Sequence, residues 1–137
     1  MLNLRMSGIF CATIAAACVL TAQGSSNADW VGVWQGELDG QPSVILTLAQ
    51  DNGPVEGTVV LNGISRDGGP AHIAVHETHV LMHPRIDGNT LSFQLKRIHD
   101  SDPLMDFTVT RAGGTNAVIH CSNCGKDAPV APITKQD

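Results

Sequence analysis

"HIAVHETHVLMH", His72 to His83, decides the fold, because it admits two readings with opposite consequences. It carries four of the chain's six histidines. On an α-helix, spacings of four, three and four would bring all four imidazoles onto one face. On a strand, alternation divides them: His72 and His76 take one face, His79 and His83 the other. The composition selects the strand. Ile73, Val75, Thr78 and Val80 are β-branched and the stretch runs into Pro84, so a helix here would be made of weak helix formers with a poor terminus.

That choice bears directly on chemistry. Two strand residues four apart are separated by about 13 Å, whereas zinc holds its nitrogens at about 2 Å. Neither pair can share one ion unaided. "HETH", His76 to His79, spaces its histidines by three and lies on no helix, unlike the H-E-x-x-H metal motif. The stretch therefore reads as a polar strand, and no cofactor is expected. A metal centre on His76 and His79 is the alternative, and it requires a bulge near Glu77 or ligands from a neighbouring strand. His99 and His120 are the remaining imidazoles that a fold could bring to them.

The N-terminus is of another kind. Arg5 precedes "GIFCATIAAACVLTA", Gly8 to Ala22, an uncharged and mostly apolar run. It is shorter than the roughly twenty residues of a membrane span and suits an export signal. Small residues in Ser26-Asn27-Ala28 place the expected cleavage after Ala28, so residues 1–28 are a signal peptide and 29–137 one domain. A second reading takes Ala15-Ala16-Ala17-Cys18 as a lipobox, and only lipidation at Cys18 would tie the protein to a membrane. The expected location is periplasmic or secreted.

Residues 29–137 hold 7 basic and 13 acidic side chains, a net charge of −6. With no basic run, such a surface disfavours nucleic acid and anionic lipid as partners. The same part has no Tyr, two Trp and two Phe, so its core must come from Val, Ile and Leu, whose β-branched members favour strands.

Turn chemistry recurs at short intervals: Asp39-Gly40, Asn52-Gly53-Pro54, Asn62-Gly63, Asp67-Gly68-Gly69-Pro70, Asp87-Gly88-Asn89, Ser101-Asp102-Pro103, Gly113-Gly114 and Ser122-Asn123. Between these lie eight strand-like segments, at 30–38, 43–50, 55–62, 72–83, 90–98, 104–110, 116–121 and 128–135. The clearest is "TLSFQLKRI", where Leu91, Phe93 and Leu95 alternate with Ser92, Gln94 and Lys96. Eight antiparallel strands in sequence order predict an all-β up-and-down barrel. Pro129 and Pro132 mark the last segment as an edge or closing strand.

"GVWQGEL", Gly32 to Leu38, with "VILTLAQDNGPVEGTV", Val44 to Val59, and "GNTLSFQLKR", Gly88 to Arg97, resembles small exported bacterial β-barrels of the lipocalin-like (calycin) kind. The resemblance implies a Gly-x-Trp signature at Gly32 and Trp34, near the closed end of a barrel. It implies a pocket for a small apolar ligand and no catalytic residues. At 109 residues the domain is short for that family, which implies shorter strands and a smaller cavity.

Cys121 and Cys124, in "HCSNCG", are the only cysteines beyond residue 28. In an exported chain a disulfide across a tight turn is the leading reading, with a redox pair or zinc ligation as alternatives. Asp100, Asp102 and Asp106 read as solvated turn residues rather than a cation site. Trp30 and Trp34, four apart on a strand, face the same way, one of them plugging the barrel base. The expected function is a non-enzymatic exported barrel binding a small apolar ligand, or an accessory envelope domain. The alternative is a His/Cys metal-binding protein or metalloenzyme.

Overall fold

The computed structural model describes residues 26–128 and 130–137. The expected export signal, Cys18 and Pro129 thus lie outside the described residues, apart from the last three positions of the expected signal.

A single helical turn, α1 (Asn27–Trp30), leads into nine strands. They are β1 (Gly32–Leu38), β2 (Gln41–Ala49), β3 (Glu56–Ser65), β4 (His72–Val80), β5 (Met82–Asp87), β6 (Thr90–Leu95), β7 (Met105–Gly113), β8 (Asn116–Cys121) and β9 (Ala131–Lys135). All join one antiparallel sheet in the order β4-β3-β2-β1-β9-β8-β7-β6-β5, curled into a half-barrel. Neighbours in sequence pair throughout with one exception, β4 and β5. β9 returns to pair with β1 as well as β8, as a closing strand must. β4 and β5 do not pair, and the half-barrel is open along the seam between them.

Two expectations change here. The twelve-residue histidine segment is two strands, because Leu81 turns inward, only 6% exposed, and donates its amide to the Gly57 carbonyl at 3.0 Å. Eight segments thereby become nine strands. Trp30 belongs to α1 rather than to a strand, since the amide of Asp29 closes a turn onto the Ser26 carbonyl and the Asp29 carboxylate accepts from the Ser26 amide.

Alternation places Trp34, Val44, Leu46, Leu48, Val59, Leu91, Phe93, Leu95, Val109, Ala117, Ile119 and Ile133 inside, and no polar or charged residue is buried among the described residues. Burial of such side chains is the main driving force for the sheet, at about 1.5–3 kcal/mol for each large one. The base of the half-barrel is sealed by Trp30 and Trp34, both 0% exposed, with ring centroids 5.7 Å apart. Both tryptophans face inward, where one of them was expected to plug the base. Trp34 Nε1 donates to the Trp30 carbonyl at 2.9 Å. Arg111 lies over the Trp30 ring and Lys135 over that of Trp34, at 5.7 and 5.9 Å. Lys135 Nζ also donates to the Asp29 carbonyl, tying α1 to the last strand. Gly32 is needed beside this plug: its φ is +129°, and a Cβ there would stand 3.0 Å from Lys135 Cε. Side chains rarely adopt that backbone conformation.

Candidate functional site

At the end of the half-barrel away from the tryptophans, the inward positions stop being filled. Val44 on β2, Leu61 on β3, Met105 and Phe107 on β7, Ile119 and Cys121 on β8 and Ala131 on β9 line a cavity of about 580 Å³. Leu61, Met105, Phe107 and Ala131 are only half-buried. Phe107 pairs directly with Phe93, ring on ring at 5.5 Å and 3°, so one aromatic face is fixed towards the core. Residues 124–128 complete the rim and bring Lys126 and Asp127, both exposed, to its edge. The chemistry is simple: an apolar wall, polar groups confined to the lip, and a volume within the 300–1,000 Å³ usual for small-molecule sites.

A larger depression, about 830 Å³, runs over Thr47, Ala49, Glu56 and Thr58. These are outward positions of β2 and β3, so it lies outside the half-barrel, where Pro54, Val55, Val80, Leu81 and Pro84 give it an apolar lining of its own.

The rim is held by its own network. Cys121 and Cys124 stand at disulfide distance, with Cα atoms 5.6 Å apart. Between them Asn123 acts as a clamp. Its Nδ2 donates to the Leu104 carbonyl and to Asp106 Oδ2, at 2.8 and 3.0 Å, while its Oδ1 accepts from the Asp106 amide at 2.8 Å. Asp106 Oδ1 accepts from Gln94 Nε2 at 2.8 Å, and Gln94 Oε1 accepts from His83 Nδ1 at 2.9 Å. This chain of side chains runs from β5 across β6 and β7 to the disulfide turn. Asn123, Gln94 and Asp106 were invisible as a unit in the sequence. Register alone makes Gln94 and Asp106 neighbours.

The histidines are dispersed. His79 pairs with Val59 on the inward side of β4 and its Nε2 lies 3.2 Å from Glu77 Oε2. His76 pairs with Asn62 on the outward side, its Nδ1 2.8 Å from Asn62 Oδ1. The two imidazoles therefore stand on opposite faces. The expected sharing of a face by His72 and His76 is also lost. Gly63 pairs with Val75 but Ile64 with Ile73, so Ala74 is an extra residue and the bulge shifts His72 to the other face. His79 and His99 line a small cleft of about 240 Å³ with Glu77, Arg97, Asp102 and Met105. His120 sits at the apolar cavity. Among the described residues no three His, Cys, Asp or Glu stand together as metal ligands would.

Of the acidic loop, Asp100 meets Lys96 Nζ at 2.7 Å, and that hydrogen bond together with the ammonium charge holds its carboxyl below the usual carboxylate range. Asp106 is spent on the rim network and Asp102 lines the small cleft. The described residues include no helix long and apolar enough to cross a membrane. No protein family, curated protein or solved structure matches the chain. Fold and geometry therefore carry the functional reading.

Proposed function

We propose that the protein is an exported, lipocalin-like carrier that holds a small apolar ligand in the mouth of its half-barrel. The observation that carries this is the 580 Å³ cavity walled by Val44, Leu61, Met105, Phe107, Ile119 and Ala131. Exposed apolar wall costs free energy in water, so a site of this make-up gains most from an apolar occupant. The plugged base, with Gly32 and Trp34 beside α1, supports the family likeness: one end is filled by tryptophan and the other is left for cargo. Export rests on residues 1–28 and on a paired Cys121–Cys124, which an oxidising compartment maintains.

Titration of the purified domain with N-phenyl-1-naphthylamine tests the cavity. Saturable one-to-one enhancement is expected, abolished by Leu61→Glu and by Phe107→Glu in variants whose circular dichroism remains that of the parent. Enhancement that is unsaturable, or unchanged in both variants, would remove the ligand reading. Mass spectrometry of chain recovered from the periplasm of an expressing bacterium tests export, with a mature N-terminus at Asp29 expected.

A further inference from the structure

We infer, resting on the reading of the apolar cavity as a ligand site, that the Cys121–Cys124 disulfide is a thiol–disulfide exchange site that latches the mouth of that cavity. Its co-reactant is a dithiol reductant.

The link from β8 to β9 has two unlike halves. Ser122 and Asn123 are fixed to the body of the fold. The Ser122 amide and hydroxyl donate to the Asp106 carbonyl, the Asn123 side chain bonds to Leu104 and Asp106, and the Asn123 carbonyl accepts from Arg97 Nη2. The half that follows is tethered differently. Residues 124–128 line the cavity, yet their one hydrogen bond is internal, from the Ala128 amide to the Gly125 carbonyl at 3.3 Å. Residues 124–127 are exposed, and a Cβ on Gly125 would meet nothing within 4 Å, so this half has room to swing. The next paired position is Ala131, opposite Ile119. Among the described residues between Asn123 and Ala131, the disulfide is the only bond to the rest of the fold.

The two sulfurs are placed for exchange in one direction. Cys124 is exposed, whereas Cys121 is 6% exposed and faces the cavity. An attacking thiolate therefore meets Cys124 Sγ. The S–S bond breaks and Cys121 leaves as a thiolate, which takes a proton from water. The second thiol of the reductant then attacks the mixed disulfide and releases Cys124. The dithiol is oxidised to a disulfide, and the cysteine pair takes up two electrons and two protons. The freed Cys121 thiol has an acceptor in place, with Asn123 Oδ1 3.6 Å from its sulfur. Because the bond spans a sequence separation of only 3, it contributes less to global stability than one closing a long loop. The β-ladders and the Asn123 clamp stay, so reduction frees one wall of the cavity and leaves the half-barrel standing. An oxidising compartment keeps the latch shut.

Amide hydrogen exchange and the release of N-phenyl-1-naphthylamine, each measured on the oxidised chain and after dithiothreitol, test the latch. Reduction should quicken exchange at residues 125–128 while Ser122 and the β8 amides keep their protection. Dye release should quicken about fivefold or more as an apolar wall is lost. Cys121→Ser/Cys124→Ser should behave as the reduced chain with or without dithiothreitol. Unchanged exchange at 125–128 with dye binding intact overturns the latch and spares the cavity. So does quickened exchange there with dye release unchanged. Reduction that also strips protection from Ser122 and β8 overturns it too, because the disulfide would then hold the fold rather than the rim. An oxidised chain that binds no dye overturns the cavity reading, and the latch as its guard, whatever the rim does.

Discussion

Replacing each tryptophan of the base with phenylalanine separates packing from hydrogen bonding, because the two rings are matched in all but one respect. Both are fully buried, they contact each other, and each lies under one cation at nearly the same distance. The ring area lost and the cation contact weakened are therefore similar in Trp30→Phe and Trp34→Phe. What differs is the indole N–H. That of Trp34 donates to the Trp30 carbonyl at 2.9 Å, so its loss orphans a buried acceptor at a cost of about 1–3 kcal/mol. That of Trp30 finds no acceptor among the described residues, and removing a buried unsatisfied donor recovers about 1–3 kcal/mol. Trp34→Phe should thus be less stable than Trp30→Phe by roughly 2–6 kcal/mol. In urea unfolding followed by circular dichroism this is a large difference in midpoint at constant slope, and in a thermal scan a gap of about 10 °C or more. Equal stabilities, or the reverse order, would refute the assignment of that hydrogen bond as the bond that locks the base.

Four further outcomes are expected. Gly32→Ala should cost about 1–3 kcal/mol, since alanine is strained at φ +129° and its methyl meets Lys135; an unfolding midpoint within error of the parent would speak against this. Asp106→Ala should speed amide hydrogen exchange at Ser122, whose amide bonds to the Asp106 carbonyl, because Asn123 and Gln94 lose their shared anchor; unchanged exchange would show the turn to be held by the disulfide alone. Lys96→Met should raise the Asp100 titration, read by carboxyl NMR, towards the ordinary range. The folded value lies below the unfolded one, so the pair stabilises above the ordinary carboxylate range and its contribution is lost as pH falls through the lowered value. Native purification in zinc followed by elemental analysis should give no stoichiometric metal, since His76 and His79 stand on opposite faces; one zinc per chain that is lost in His79→Ala would reverse that.

The fold was legible where alternation is enforced by burial. Leu91, Phe93 and Leu95 are buried on β6, and Leu46 and Leu48 on β2, so a one-residue slip would bring their outward neighbours Ser92, Gln94 and Thr47 into the core. Turn chemistry was right at Asp39-Gly40 and Asp87-Gly88, where positive φ marks the link. It misled at Asn62-Gly63, which lies inside β3. There Asn62 donates to the Pro42 carbonyl across the sheet, and a Cβ on Gly63 would crowd Val75 at 3.1 Å. Glycine in that place admits a bulge rather than a reversal. Nothing local distinguishes the two uses, since both exploit the missing side chain.

The same bulge explains why the histidine stretch read correctly as strand and incorrectly as to faces. None of the nine residues of β4 is buried, so its side chains carry no periodic apolar signal that would locate an extra residue at Ala74. The split at Leu81 is equally silent, because one apolar residue between Val80 and Met82 looks like continuation. Yet Leu81 is where the chain leaves one sheet edge and begins the other: its side chain fills the core and its amide bonds to Gly57, while β4 and β5 on either side find no common ladder. A closed barrel would have buried this stretch and forced it to alternate. An open seam releases it from that requirement, and a polar, histidine-rich sequence becomes tolerable along an edge that stays in water.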